Sequence, residues 1–456
     1  MRRVVKVSRI RIIITIIVVV LTTLLTGCTG KEPNEIAYVV ALGIDSTDDD
    51  NYKITIQYAN TTQISGGTSE SGGKAGSEIV DNVTIEAPNI YAGVGLANNI
   101  VSKSFSMSHA KLIVFSKEIA EKGVKDMIET LVRSEEIRPD VFIAVANTTA
   151  NDYLTSVNPE MEVNPAQYYQ LIYQKNQLVG IPDGQLREFF TGLYTDNYDS
   201  ILPVAGVIEG SGGNSQNDDK GQSKDGQNEG SEGSSESLDS FESKSSNEKD
   251  ENEKEKDAEK NTSKYEYDIK NYIGGETAIE KKNKAEAIGA AVFEKDKMVG
   301  ELGEVETEIC KMLKGDYTYS YLTYYNNDTP DIPITVKTTQ QKKPKYKIDT
   351  DKKTVDIELY IESDLYSLPA DYNVENKIED FERDVANYTS SACTEFINNF
   401  TKKYNSDILK LNEKVKYKFL TNNQYNWFKK NVGWSEYKFS VCTNFKVRRT
   451  GLIVRE

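Results

Sequence analysis

The chain has 456 residues, of which 38% are hydrophobic, 28% charged and 9% aromatic, and its formal net charge is −16. This composition excludes a polytopic membrane protein, a collagen-like chain and a wholly disordered chain, and the length suits about two or three domains. The acidity disfavours nucleic-acid binding, because contacts to phosphates require Lys and Arg. The single histidine, His109, excludes a histidine-rich metal centre. We therefore predict no cofactor, no metal site and no nucleic-acid partner.

Residues 1–27 have the features of a lipoprotein signal peptide. Five basic residues precede an uncharged, mostly apolar run from Ile12 to Thr26, which is shorter than the ~20 residues of a membrane-spanning helix. The run ends at Leu25-Thr26-Gly27-Cys28, which matches the pattern of a lipobox. We predict that Cys28 is lipidated and that the chain is cleaved before it. The alternative is an uncleaved single-span anchor with an incidental cysteine.

Cleavage would give a mature chain of net charge −21, since residues 1–27 contain five bases and no acids. Such a chain is not expected to adhere to anionic headgroups by charge, so the lipid on Cys28 must anchor it, at ~0.8 kcal/mol for each buried CH₂. The remaining cysteines, Cys310, Cys393 and Cys442, cannot all pair within one chain. They imply no disulfide framework, and we expect buried structural thiols.

Residues 209–264 are predicted to form a disordered acidic insertion. From 211 to 264 there are only three apolar side chains, with 15 acids and 8 bases, so the segment cannot bury enough apolar area to offset the entropy of ordering. Its flanks, Ile201–Ile208 and Ala287–Phe293, have the pattern of strands. Because the cost of loop closure grows slowly with length, we predict that these strands pair as antiparallel neighbours and that the insertion is a solvated hairpin loop.

Strands and helices alternate through residues 32–208, the predicted N-terminal α/β region. Asp48–Asn51 favours a hairpin turn over a calcium loop, because it lacks the Gly and the distant Glu of such a loop. His109 has no nucleophile pattern beside it and is interpreted as structural. The predicted strands are Ile36–Asp45, Tyr52–Gln57, Ile79–Ile85, Lys111–Phe115 and Val141–Ala146, and the predicted helices start at Pro88, after Ser116 (to about Arg133) and at Thr148 or Thr149.

Residues 265–330 are predicted to complete the N-terminal or a middle domain with strands and a helix, and 331–456 to form a C-terminal α+β domain. The fold class is therefore α+β, with two to three consecutive mixed α/β domains and largely antiparallel sheets after the signal peptide. We expect the closing strands to be of the long antiparallel type. The main predicted elements are a turn at Glu294–Lys297, strands at Met298–Leu302, Ile334–Val336, Tyr346–Ile348, Thr354–Ile361 and Phe439–Val447, and helices at Asn376–Tyr404 and Asn422–Lys430.

Several short segments, spread over nearly the whole chain after the signal peptide, form a recognisable series. They are Cys28, Val40–Asp45, Ser108–Phe115 with Glu118–Gly123, Ala290–Leu302, Lys403–Ile408 and Arg449–Ile453. Their order and spacing resemble the Ger(x)C family of spore germination lipoproteins, the C subunits of nutrient germinant receptors. Two departures are Thr29–Glu32, where the family often has Trp-Asp, and the length of the insertion.

The resemblance implies a non-enzymatic subunit on the outer face of the spore inner membrane. Its partners would be an A-type and a transporter-like B-type integral membrane subunit, and its fold three small α/β domains. No nucleophile–base–orienter set, catalytic carboxylate pair or phosphate loop is evident in the sequence. Two other hypotheses are a substrate-binding or scaffold lipoprotein of a membrane transporter, which would need two doubly wound lobes, and a secreted hydrolase.

Overall fold

The computed structural model describes residues 13–18, 35–49, 51–59, 80–158, 164–174, 180–195, 197–208, 271–277, 283–325, 333–367 and 377–450. The predicted lipidation site Cys28 and the predicted insertion 209–264 lie outside the described residues. Within them, no helix is both long enough and apolar enough to cross a membrane. Both sheets belong to one compact unit made of Met1–Glu209 and Asn271–Glu456.

The described elements follow the predicted alternation of strands and helices. The strands are β1 (Ile36–Ser46), β2 (Tyr52–Ala59), β3 (Val80–Ala87), β4 (Ser104–Ser106), β5 (Leu112–Ser116), β6 (Phe142–Ala146), β7 (Ile201–Val207), β8 (Ala285–Glu294), β9 (Lys297–Leu302), β10 (Tyr319–Tyr325), β11 (Pro333–Gln340), β12 (Lys345–Asp349), β13 (Thr354–Ser367) and β14 (Lys438–Arg449). The helices are α1 (Ile90–Ile100), α2 (Lys117–Lys122), α3 (Lys125–Val132), α4 (Ala150–Ser156), α5 (Pro165–Gln174), α6 (Leu186–Thr195), α7 (Glu304–Lys314), α8 (Ile378–Tyr404), α9 (Leu411–Val415) and α10 (Asn422–Asn431).

The first sheet has the order β3-β2-β1-β5-β6-β7-β8-β9, with β4 beside β1. Its centre, β1-β5-β6-β7, is parallel, and both sides are antiparallel. β5 and β6 are buried at every residue, as expected for parallel strands covered on both faces. The predicted antiparallel pairing of the strands that flank the insertion is confirmed, because β7 pairs with β8 from Ile201↔Val292 to Val207↔Ala285.

Helices cover both faces of this sheet. Alternate strand residues such as Ile113 and Phe115 pack in one core with α1, α2, α3 and α6. Their neighbours Leu112 and Val114 pack in a second core with α4 and α5. The two-residue period of the strands therefore divides the apolar residues between two layers of helices.

The second sheet has the order β10-β11-β13-β12, with β14 pairing with β13. Residues 265–330 are predicted to complete the N-terminal or a middle domain. Strand β10 of this segment lies in the second sheet, beside β11. The expectation of antiparallel closing strands is wrong for the last pair, because β14 runs parallel to β13. The reason is that the chain between them carries α8, α9 and α10, and such a long crossover can join parallel strands.

The outer edge of β14 is covered by α8. Backbone N–H groups of Phe439, Val441, Thr443 and Val447 donate to side-chain oxygens of α8 at distances of 2.8–3.1 Å. The acceptors are Asn398, Thr394, Ser390 and Glu382, respectively. An unpaired strand edge can recruit another chain. Here the polar side chains of α8 provide hydrogen-bond acceptors for the outward N–H groups of β14.

Two local predictions need correction. The helix predicted from Ser116 to Arg133 is two helices, interrupted at Gly123, whose φ is 121°. The helix predicted from Pro88 begins at Ile90, since the side chain of Asn89 caps it by accepting from Ala92 N at 2.9 Å. In both cases a local hydrogen bond or backbone angle sets the boundary.

Candidate functional site

The motif Val40–Asp45 holds α4 against the first sheet. The carboxylate of Asp45 accepts from Ala150 N at 2.6 Å and from Asn151 N at 3.0 Å, at the start of α4. A Cβ atom on Gly43 would lie 3.0 Å from Leu154 and 3.1 Å from Ala150, so glycine permits this close approach. Burial raises the pKa of Asp45, although the two backbone hydrogen bonds oppose that shift. This motif therefore has a structural role.

His109 lies in the second motif and has no acid partner among its described contacts. Its ring packs edge-on against Tyr38 at 4.8 Å, and Nδ1 lies 3.0 Å from Ser108 Oγ. Just after Phe115, Ser116 caps α2 by accepting from Ile119 N. The His109 side chain is exposed, and its structural interpretation stays a prediction.

The third motif, Lys403–Ile408, joins the two sheets. Asp199, just before β7, donates its backbone N–H to Asp407 O at 3.1 Å. In return Asp407 N donates to the Asp199 carboxylate at 2.9 Å. The Asp407 side chain accepts from Leu411 N at 2.7 Å and Asn412 N at 2.8 Å. Burial raises the pKa of Asp407 to about 7, against the effect of these two donors.

Further polar contacts surround this pair, which we call the Asp199–Asp407 junction. Lys429 Nζ donates to Thr195 O at 3.2 Å and to Asn197 Oδ1 at 3.1 Å. Tyr425 OH donates to Asn197 at 3.2 Å. Sequence reasoning did not single out residues 195–199, although a run of Asn and Asp before a strand is a recognisable turn signal.

A polar cleft of about 780 Å³ lies between α7, β10, β11 and residues 181–188. Its lining includes five lysines but only three acids. Lys311 is the most buried of these lysines; its Nζ donates to Ile181 O at 3.0 Å, and burial lowers its pKa to about 8. The charged lining residues are Lys311, Lys314, Lys337, Lys343 and Lys410, with Asp183, Glu188 and Asp316.

The described residues include three cysteines, which differ in burial. The same residues contain no group of three or more His, Cys, Asp or Glu side chains that could hold a metal ion. Cys310 and Cys393 are free and buried, and burial raises the pKa of their thiols to about 11 and about 12. The expectation that all three thiols are buried is wrong for Cys442, which lies on the outward face of β14 and is exposed.

Comparison with known proteins covers both halves of the chain. Residues 30–207 match the family described as spore germination protein N-terminal domain, and residues 288–451 match the family described as spore germination B3/GerAC like, C-terminal. The chain belongs to the Ger(x)C family of spore germination proteins. The span between the two matches, 208–287, contains the predicted insertion.

Members of this family from Bacillus subtilis (strain 168) include spore germination protein KC, which is 26% identical over 35% of this chain, and the putative spore germination protein YfkR, 29% identical over 32%. The matched regions span only 42% and 37% of those relatives' own lengths. A crystal structure of the GerBC protein aligns over 89% of this chain and 96% of its own, with a TM-score of 0.47 and 15% identity.

Proposed function

We propose that the protein is a non-enzymatic lipoprotein subunit of a spore nutrient germinant receptor. A lipid on Cys28 would hold it on the outer face of the spore inner membrane. The observation that carries this proposal is the pair of spore-germination family matches over 30–207 and 288–451, which begins just after the lipobox-like segment.

The partners that we propose are the A-type and B-type integral membrane subunits implied by the family. The motifs support a scaffold role, because residues that carry the resemblance cap α4, permit close packing or form the Asp199–Asp407 junction. None of those contacts places a nucleophile beside a base and an orienting group. The described residues therefore favour an interaction protein over an enzyme.

A substrate-binding or scaffold lipoprotein of a membrane transporter is the second candidate. The cleft of about 780 Å³ is the observation that favours it. A ligand-binding protein of that kind would need two doubly wound lobes, whereas the second sheet contains one parallel pair, β13 with β14. A transporter component would affect uptake of its substrate in growing cells, and a receptor subunit would affect spores.

Deletion of the gene tests the proposal. Spores that lack the protein should lose or slow their germination in response to at least one nutrient. Expression of the intact chain should restore the response, and a trigger that bypasses nutrient receptors should work equally well in both strains. Normal germination of the deletion strain with every nutrient tested would contradict a receptor role.

A further inference from the structure

Three strongly exposed apolar side chains lie close together in the sequence of the C-terminal region. Tyr417 is 79% exposed, Leu420 94% and Trp427 64%. Tyr417 and Leu420 are the two most exposed large hydrophobic side chains among the described residues. A single exposed Leu is ordinary, but several large exposed apolar side chains in one short segment point to an interaction site. We call Tyr417, Leu420 and Trp427, together with Lys416 and Lys430, the 416–430 surface.

The 416–430 surface has a well-packed base. Phe419 packs against Tyr425 and Phe428, with ring centroids 5.8 Å and 4.9 Å apart. Both Tyr425 and Phe428 are buried. Trp427 is two residues from Tyr425, or about 200° around the helix, and so lies on the outward face of α10. The exposure of Trp427 thus belongs to an ordered helix and not to a frayed end.

The charge of this region is opposite to that of the chain. Residues 410–438 contain seven lysines and two glutamates, with no Arg or Asp, in a chain of net charge −16. Lys416 and Lys430 are exposed, whereas the Nζ of Lys418 donates to Ile348 O. The acidity of the whole chain, which argues against binding to anionic headgroups, therefore does not describe this surface.

We propose that the 416–430 surface docks onto an anionic lipid bilayer, with Tyr417, Leu420 and Trp427 entering the interface and Lys416 and Lys430 contacting headgroups. Aromatic rings favour the interface, and each nearby lysine adds ~1 kcal/mol on an anionic surface. A protein partner is less suited to this surface, because lysine is depleted in the cores of protein–protein interfaces. The inference rests on the proposed membrane location and adds a second contact beside the lipid on Cys28.

The two tryptophans allow a direct test on the full chain. Trp434 is buried at 3% exposure, so only Trp427 can reach lipid. The lipidated protein is reconstituted into vesicles of equal parts phosphatidylglycerol and phosphatidylcholine, and its fluorescence is measured with brominated acyl chains as quenchers. The difference between the intact chain and Trp427→Phe reports Trp427 alone. We expect the Trp427 emission obtained in this way to be quenched and blue-shifted. Both effects should be smaller in vesicles of phosphatidylcholine alone or at ~1 M salt, where the Debye length is about 3 Å.

Matched variants distinguish the contribution of the lysines on the 416–430 surface from the effect of altering any exposed lysine. Lys416→Glu with Lys430→Glu should shift the docking equilibrium about 30-fold or more toward the undocked state, since each lost lysine removes ~1 kcal/mol. Lys342→Glu with Lys402→Glu, both exposed and outside residues 410–438, should leave the quenching unchanged. Tyr417→Ser with Leu420→Ser should reduce it, whereas Tyr321→Ser with Tyr366→Ser, a second exposed aromatic pair, should not.

Flotation of the same vesicles separates this inference from the proposed function. A protein that floats with the vesicles but whose Trp427 is unquenched would overturn bilayer docking while leaving the lipid anchor intact. Shielding of Trp427 that appears only when receptor membrane subunits are added would also overturn it, in favour of a protein partner. A protein that does not float at all would contradict both the anchor and the docking.

Discussion

At the scale of single residues, Asp45 links β1 to α4. Its two backbone hydrogen bonds satisfy donors at the start of α4, which have no partner within the helix itself. The neighbouring Asn151 side chain donates to Thr55 and Thr84 at 2.9 Å each. The end of β1, the start of α4 and the neighbouring β2 and β3 are thus held by one polar cluster.

Replacement of Asp45 should therefore destabilise the fold. We expect Asp45→Ala to lower the free energy of unfolding by about 1–2 kcal/mol, through loss of a helix cap and exposure of two unsatisfied donors. Asp48→Ala, in the exposed turn after β1, is the matched control and should be within ±0.5 kcal/mol of the parent. Chemical denaturation measures both, and equal stability of the two variants would contradict the capping role.

At the scale of elements, α8 closes the edge of the second sheet. Ser390 accepts from Thr443 N at 2.9 Å while donating to Ala386 O, and Thr394 accepts from Val441 N at 3.0 Å. The sequence pattern predicts a helix over Asn376–Tyr404, and α8 at Ile378–Tyr404 confirms it. The function of its polar stripe could not be predicted, because it depends on where β14 lies in the fold.

Loss of this stripe should weaken the edge. Ser390→Ala should cost about 1 kcal/mol of unfolding free energy, whereas Ser391→Ala, at the adjacent exposed position, should cost nothing or stabilise slightly, since alanine favours helix. Hydrogen exchange of the Thr443 amide should accelerate only in the first variant. If exchange of the Thr443 amide were unchanged in Ser390→Ala, a water molecule would have to replace the serine hydroxyl as its acceptor, and the role of the serine would be contradicted.

The insertion between β7 and β8 offers a second element-scale prediction. Deletion of 211–264 with a short Gly/Asn turn should leave a folded protein, because the pairing of β7 with β8 does not require the insertion and a shorter loop costs less entropy to close. Germination should also be unaffected if the insertion is a solvated loop.

A longer deletion is the matched contrast. Residues 271–277 contact β8 and the start of α7, with Gly274 N donating to Ile288 O at 2.9 Å and Asn271 Oδ1 accepting from Val305 N at 2.9 Å. Removal of 211–277 should therefore lower the Tm clearly, while removal of 211–264 should not. A large loss of Tm in the shorter deletion would contradict the loop interpretation, and loss of germination alone would indicate that the insertion contacts a partner.

At the scale of the whole molecule, the Asp199–Asp407 junction and a shared core unite the two sheets. The core that includes α7 contains Ala290 and Val292 from the first sheet and Val355 and Ile357 from the second. Local patterns predicted most strands and the pairing across the insertion. They could not predict the parallel direction of β14, the exposure of Cys442 or the junction, because each depends on contacts between segments far apart in the sequence.

The junction makes stability depend on pH. Burial raises the pKa of Asp407 from 3.8 to about 7, so the folded state binds a proton that the unfolded state has released. The free energy of unfolding should fall as the pH rises between these values, with a slope approaching ~1.4 kcal/mol per pH unit from this group. Asp407→Asn should flatten the curve in that window, as measured by urea denaturation. An unchanged slope would assign the pH dependence to other groups.

The most direct test of the account is nutrient-triggered germination of spores whose only copy of the gene encodes Cys28→Ala. Cys442→Ala is the matched control, because that thiol is exposed but lies outside the predicted lipobox. A membrane-anchored receptor subunit predicts that Cys28→Ala spores lose the nutrient response and that Cys442→Ala spores keep it. Normal germination of Cys28→Ala spores would contradict the account.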